Sequence, residues 1–496
     1  MGYPSLLYAI PPKNRPMSLT VFEDLQLTHF IPRSVAKTVR IPCEKDNILA
    51  RQRLFAAFAR EGARETYASL RDMAEEMAEL KAVYESPRCQ AERLAAFAAF
   101  FEIERRFSAA AANAGLGDPL SDRFAAAFAA ERRDPRYQSM EASLDRLNPA
   151  REALTRNRVS VSRGEIRLRA DADETYFDRI LSCADRLKIE TPRVKAVERR
   201  RLSPDLLTAA VSLRPETLAE LKTFETAFSP LYQPAVTYYG KEIAFYLTML
   251  SLFDKIRAAG IPIAYPTVGA GRGLRVTEAY DVSLLAKGEN VIVPNDISFS
   301  DGEPFFFLTG ANGGGKTTYL RAVGIAATLV VNGCPLPCRS AEIGEISGIF
   351  THFPRDERFD GSGRFVEENN RVQKILEQLD DNSLVLLNET YATTNEENAV
   401  RMTESLARDL HARRSLGLYI THQHALSDVG VPYLNVLIDK NDANRRTFKI
   451  AREKSTGGSY AADILARCGL TREALEARFG PLPGPLPNSS GRKDGA

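Results

Sequence analysis

From about residue 48 to 150 apolar residues recur at helical spacing, in a stretch rich in Ala, Leu, Phe, Arg and Glu. Leu94, Phe97, Phe101 and Phe107 fall near one face of a helix. Gly115 to Pro119 interrupts that run and Asp134-Pro135 ends the next, so the pattern predicts a set of packed helices. The period changes at residues 158–169. Val159 and Val161 alternate with Ser160 and Ser162; after Arg163-Gly164, Ile166 and Leu168 alternate with Arg167 and Arg169. This spacing predicts a β-hairpin with one apolar and one Arg-rich face. Arginines on such a face are most simply solvated, and they are also placed to meet phosphates. Helices resume at Ser203-Pro204, an N-cap followed by a favoured first-turn proline. They break at Pro215 and near Pro230, run on through Lys241–Ala259, and close at Gly260-Ile261-Pro262.

Beyond about residue 265 short β-branched or aromatic strands alternate with helices, which is α/β grammar. The last stretch, 481–496, is Pro, Gly, Ser and charged residues and reads as a disordered tail. The chain therefore divides into an N-terminal segment (1–47), a helical domain (48–264), an α/β domain (265–480) and the tail. Its 496 residues, at roughly 150 per domain, suit about three domains.

Charge narrows the partners little. Lys+Arg 66 against Asp+Glu 64 excludes a histone-like polycation and an acidic solvating tail. A local basic face can still sit inside a neutral total, so nucleic acid stays open as a partner. Six scattered cysteines do not make a disulfide framework. Cys334 and Cys338 have no second ligand pair at a spacing that zinc would need. The N-terminus has no basic stretch and no long apolar core, so no signal peptide is expected. No run approaches the apolar length of a transmembrane helix, and the expected compartment is the cytoplasm, with no membrane partner.

The sharpest chemical signal is Gly310-Ala311-Asn312-Gly313-Gly314-Gly315-Lys316-Thr317, a G-x-x-x-x-G-K-[ST] loop. A strand-like run, Phe305 to Thr309, precedes it, and an apolar helical run, Tyr319 to Val331, follows. Gly310, Asn312, Gly313, Gly314 and Gly315 would let backbone N–H groups turn inward around β- and γ-phosphates at a helix N-terminus. Lys316 supplies a point charge, Thr317 a hydroxyl for Mg²⁺, and Thr318 continues the site. About seventy residues on, Ser383 to Leu387 ends in Asn388-Glu389, where such proteins place a Mg²⁺-associated acid and a water-polarising acid. Here an amide, Asn388, takes the metal-side position and Glu389 is the candidate general base. A third strand, Leu416 to Ile420, ends in Thr421-His422, which puts His422 in reach of a γ-phosphate. The expected ligands are ATP and Mg²⁺.

These residues resemble the ATPase domain of the MutS mismatch-repair family. The resemblance runs from about Val293-Pro294-Asn295-Asp296 to about Arg478 and takes in Gly333 to Pro337, Ser340 to Ile343 and Thr351-His352. The segment Gly361 to Glu368, with Ser362 and Gly363, resembles the signature that reaches across a dimer to the partner's nucleotide. Thr421-His422 matches the family's histidine switch, and Gly458 to Tyr460 with Ala466 to Leu470 looks like its dimerisation helices. The resemblance implies a helical lever and core domain followed by an ABC-like α/β P-loop NTPase domain with C-terminal helices. It also implies homodimerisation through the ATPase domains and sequence-independent DNA holding.

The departures matter as well. Asn388 stands in place of an Asp, Thr390 to Glu397 replaces the usual run after the catalytic acid, and Arg364 replaces a Ser or Thr in the signature. Ile292 stands where many relatives have an aromatic that stacks on adenine. In the N-terminal half, Val21 to Leu25 and the helices to about 260 look like the lever and core region, with the hairpin as a shortened clamp. The sequence leaves no room for the two domains that precede the lever in full mismatch binders. Phe100-Phe101-Glu102 matches the mismatch-wedge string, but its phenylalanines fit helix spacing and read as core. The leading expectation is an ATP-dependent, DNA-binding ATPase of mismatch repair or related DNA maintenance. A nucleotide-switched scaffold that holds ATP with little turnover is the second reading. A generic ABC-type or chromosome-maintenance ATPase is the third, and it would need a Leu-Ser-Gly-Gly-like signature.

Overall fold

The computed structural model describes residues 4–154, 156, 158–162, 165–169, 176–189, 204–289, 291–354, 364–391, 396–421, 430–438, 446–452 and 469–480. It divides into two compact units, each built from discontinuous stretches of chain.

The first unit comprises Met1–Asn14, Ile31–Ala259 and Val330–Pro335. It is helical, as the periodicity predicts. Its longer helices are Lys45–Ala57, Ala63–Glu85, Gln90–Ala111, Pro119–Glu131, Pro135–Ala153, Pro215–Phe228 and Tyr239–Ala258. Local chemistry sets several starts. Asp118 accepts from the N–H groups of Leu120 and Ser121, Asp134 accepts from that of Arg136, and a proline follows each cap. Pro204–Ser212 also opens on a proline; Ser203, its expected cap, lies outside the described residues.

Gln90–Ala111 is apolar on most of its circumference and is accordingly the central helix. Phe97 and Phe101 stack edge-on at 5.0 Å, and Phe124 meets Tyr239 at 4.7 Å. Phe100 and Phe101 are both buried in this cluster, so the two phenylalanines of the Phe-Phe-Glu string are core, as their spacing predicts.

Residues 4–17 form no helix or strand, and side chains satisfy their backbone instead. Tyr239 Oη donates to the Pro4 carbonyl at 2.6 Å, Tyr246 Oη to that of Leu6 at 2.7 Å. Asn47 Oδ1 accepts from the amides of Ala9 and Ile10 at 2.7 and 3.1 Å. The buried Arg51 donates to the Leu7 carbonyl and to Asn332 Oδ1.

The predicted hairpin forms from β1 (Arg158–Ser162) and β2 (Glu165–Arg169). Arg158 pairs with Arg169, Val159 with Leu168, and Ser160 with Arg167, the register of a regular antiparallel hairpin. Arg167 and Arg169 are exposed.

The second unit comprises Arg15–Phe30, Gly260–Leu329 and Leu336–Ala496. Its strands begin with β3 (Ile263–Ala264), β4 (Thr267–Val268), β5 (Gly273–Ala279), β6 (Asn295–Ser300) and β7 (Phe305–Thr309). They continue with β8 (Leu336–Pro337), β9 (Ser340–Ile343), β10 (Gly348–His352), β11 (Ser383–Asn388), β12 (Leu416–Ile420), β13 (Tyr433–Ile438) and β14 (Arg446–Ala451). Six of them make one sheet in the order β10-β11-β12-β7-β13-β14. All its pairings are parallel except β13 with β14. A second sheet, β4-β9-β5-β6, and the pair β3-β8 complete the strands.

Strands β7, β11 and β12 are buried along their whole length, which is why they read as unbroken apolar runs. Phe305, Phe307, Val385, Leu387 and Tyr419 pack with Leu406 and Leu410 of the helix Glu396–Ala412 to form the core on one side. Helices Lys316–Val330, Arg364–Gln378 and Arg472–Phe479 belong to the same α/β half. The unit also takes in the short helix Leu19–Asp24, capped by Ser18, whose Asp24 accepts from Thr351 at 2.7 Å. Among the described residues no helix is long and apolar enough to cross a membrane.

Candidate functional site

Parallel pairing brings the carboxyl ends of β7, β11 and β12 to one edge of the sheet. Leu308 pairs with Ile420 and Ile420 with Asn388. The Thr421 amide donates to Leu308, and that of Glu389 to Ile420. Ligands of open α/β sheets bind at such an edge.

The glycine-rich loop emerges there, between β7 and the helix Lys316–Val330. Gly310, Gly313 and Gly315 have φ of 131°, 71° and 93°, values that a side chain would strain. Gly310 and Gly314 also lie against β13: a Cβ on either would come within 2.8 and 2.7 Å of Val436. The loop is thus tight on its sheet side, while Gly313 and Gly315 face a cavity of about 440 Å³.

Lys316 is buried and donates from Nζ to the carbonyls of Gly310 (2.7 Å) and Ala311 (3.3 Å) and to Asn312 Oδ1 (3.2 Å). Burial lowers its pKa; the Glu389 carboxylate opposes that shift and Arg446 adds to it. The Arg446 guanidinium has Nε and Nη1 buried, without hydrogen-bond partners among the described residues. The loop region therefore holds two cations and is suited to an anion.

The cavity brings together Asn312, Gly313, Gly315, Lys316, Thr317, Thr318 and Glu389, all expected from the sequence. Glu389 adopts a left-handed backbone, φ 49°, uncommon for a residue with a side chain and concentrated at functional sites. Asn388 precedes it, 8% exposed, and its Oδ1 has no hydrogen-bond partner among the described residues. A buried amide oxygen left unpaired costs stability, and a donor such as the water of a hydrated cation would satisfy it. His422, Ser362 and Gly363 lie outside the described residues.

Other lining residues were given no site role from the sequence. Asp281, Leu284, Glu289, Val291, Val293, Asn295 and Phe448 line the same cavity, as does Ile292, which the resemblance set near adenine. Burial raises the pKa of Asp281, against hydrogen bonds from Ser283. Asn295 was legible only as part of a motif. Phe448 had no sequence signal, because it reaches the loop by strand pairing across more than a hundred positions.

With this geometry in place, comparison with known proteins identifies the α/β half as related to a single class. Residues 306–463 match the family model of MutS domain V. The DNA mismatch repair protein MutS of Thermus aquaticus is 26% identical over 250 residues, covering 47% of this chain and 29% of that protein. The MutS proteins of Chlorobium chlorochromatii and Chlorobaculum tepidum are 29% and 30% identical over 221 and 192 residues, 42% and 37% of this chain. These matches span 25% and 22% of those relatives, so the chain matches less than a third of their length. The matches cover up to about half of the chain, and residues 306–463 supply the loop, Glu389 and Phe448 of the cavity lining.

Proposed function

We propose that this protein is an ATP-binding, DNA-associated ATPase of MutS type, working as a homodimer through its α/β domains. The convergence of Lys316, Thr317 and Glu389 on one cavity at the carboxyl edge of a parallel sheet is the observation that carries the reading.

Lys316 exchanges its bonds to the loop carbonyls for phosphate oxygens, and the amides of Gly313 and Gly315 cradle the same group. The Thr317 hydroxyl and Asn388 Oδ1 would hold the Mg²⁺ ion, directly or through its water. Mg²⁺ held there supplies charge neutralisation at the phosphates. Glu389 accepts a proton from the attacking water and orients it, and His422 approaches the γ-phosphate from the end of β12. The composite site is completed by the partner's Ser362 and the partner's Gly363. Closure on ATP moves the helical half, whose basic residues supply sequence-independent phosphate contacts with DNA in mismatch repair or related DNA maintenance.

Steady-state ATP turnover, with and without a panel of duplex, mismatched and branched DNA, tests this reading. Turnover abolished by Glu389→Gln and stimulated by one DNA structure is expected. No DNA binding at low salt overturns it. Lys316→Ala should lower ATP affinity by roughly ten- to a hundredfold, the worth of charge-assisted hydrogen bonds.

Asn388 favours a second reading. An amide brings no negative charge to the metal, so the site can hold ATP and turn it over slowly, acting as a switch that recruits a protein. ATP-driven dimerisation without turnover selects that alternative.

A further inference from the structure

The chain turns sharply where it leaves β11. Glu389 has φ 49° and Tyr391 φ 67°, so two left-handed residues with side chains stand on either side of Thr390. Such residues hold that conformation only when their surroundings impose it. On the near side of the turn the Glu389 amide is fixed, donating to the Ile420 carbonyl of β12 at 3.0 Å.

The far side is fixed through Thr390, which is buried and held from both neighbouring strands. Its hydroxyl meets His352 Nδ1 at 3.1 Å, and its carbonyl accepts from Tyr419 Oη at 2.9 Å. His352 ends β10 and Tyr419 lies in β12; both pair across to Leu387, so they flank β11 at one level. Tyr419 Oη also lies 3.1 Å from Thr403 Oγ1 of the helix Glu396–Ala412. The phenol has one hydrogen, which goes to the Thr390 carbonyl, so Thr403 is the donor in that contact. His352, Tyr419 and Thr403 are buried, and the Tyr419 ring packs in the core with Phe307. Packing alone asks for no polar atom there, and a phenylalanine would fill the same place. A buried chain of paired polar groups holds its end rigidly, and here that end is the residue after Glu389. Thr390 also opens the segment in which this chain departs from the family resemblance. Glu389 is among the described residues that line the cavity; Thr390, His352 and Tyr419 are not.

We propose that His352 and Tyr419, acting through Thr390, are positioning residues for the Glu389 carboxylate. They hold the turn so that the carboxylate meets the cavity with its backbone fixed on both sides. Their effect runs through Glu389 and leaves ATP binding alone. The assignment rests on the reading of Glu389 as general base and extends it to what orients that base.

Single-turnover hydrolysis and isothermal titration with ATP, both on the full chain, separate the chemical step from binding and product release. Thr390→Val keeps the shape and removes the hydroxyl; Tyr419→Phe keeps the ring and removes the bond to the carbonyl. Each is expected to slow hydrolysis roughly ten- to a hundredfold, the cost of a reacting group misplaced by about an ångström, with ATP affinity unchanged. Thr390→Ser keeps the hydroxyl and should run close to the wild-type rate. Urea melts give the folded fraction of each variant. Wild-type rates in both Thr390→Val and Tyr419→Phe overturn the assignment. So do a serine variant as slow as the valine one, ATP affinity that falls with the rate, and a rate that falls only as the folded fraction does. A wild-type chain that binds ATP without turning it over overturns the reading of Glu389 as general base; wild-type turnover with unaffected variants overturns the positioning role alone.

Discussion

Asn388 and Glu389 are chain neighbours in different surroundings. Both stand at the carboxyl end of β11, Glu389 in the cavity lining and Asn388 buried, its amide oxygen unpartnered among the described residues. Restoring a carboxylate in Asn388→Asp should strengthen Mg²⁺ binding and speed hydrolysis by roughly ten- to a hundredfold, the usual weight of groups around a metal. A fall in turnover would show a site rebuilt around the amide. Glu104, in the helical unit, supplies a separate residue-scale test. It is buried and accepts from Tyr137 Oη at 2.9 Å. Burial and then the nearby Glu131 push its pKa well above the ordinary value; the Tyr137 bond works the other way. A carboxyl raised in the folded state binds its proton more tightly there. Its stability is fully present below the unfolded pKa and is lost as pH rises through the folded one. Glu104→Gln keeps an acceptor for Tyr137 and removes that titration. The variant's melting temperature should gain on the wild type from pH 5 to pH 9, and a gap independent of pH would reject the mechanism.

At the scale of elements, close approach of neighbours fixes what the strands tolerate. Gly417 lies in β12 between β11 and β7, and a Cβ there would sit 2.5 Å from the Val385 carbonyl oxygen and 2.8 Å from the Phe305 ring. Backbone of a central strand cannot yield as a side-chain tip can. Gly417→Ala should therefore destabilise the chain by ~1–3 kcal/mol in a urea melt, the range of overpacked cores. The elements themselves were largely legible. Asp118-Pro119 and Asp134-Pro135 announce helix starts because capping is local chemistry. The hairpin is legible because a period of two cannot be mistaken for 3.6 over ten residues. The register shift between β13 and β14 that carries Phe448 was not, because it exists only in the pairing of two strands.

At the scale of the molecule, the near-zero net charge requires any nucleic-acid surface to be local. The exposed Arg167 and Arg169 of the hairpin are the first place to test one. If they meet phosphates, the double variant Arg167→Ala/Arg169→Ala should flatten the log–log salt dependence of DNA affinity by about two, roughly 0.9 per phosphate contact. An unchanged slope would leave these arginines as a solvated face. The two compact units each gather separate stretches of chain, and residues 1–47 are shared between them: 1–14 and 31 onward in one, 15–30 in the other.

By itself the sequence determined the helical and α/β character of the two halves, the glycine-rich loop with its lysine, the paired Asn388-Glu389 strand end and the MutS resemblance. All of these are written in neighbouring residues, through capping, periodicity or motif spacing. The tertiary structure alone decided which distant residues complete the cavity. Phe448 and Asn295 enter it through strand register and side-chain-to-backbone bonds, and Val436 closes the loop from behind. Those relations depend on where strands pair rather than on what lies beside each residue in the chain.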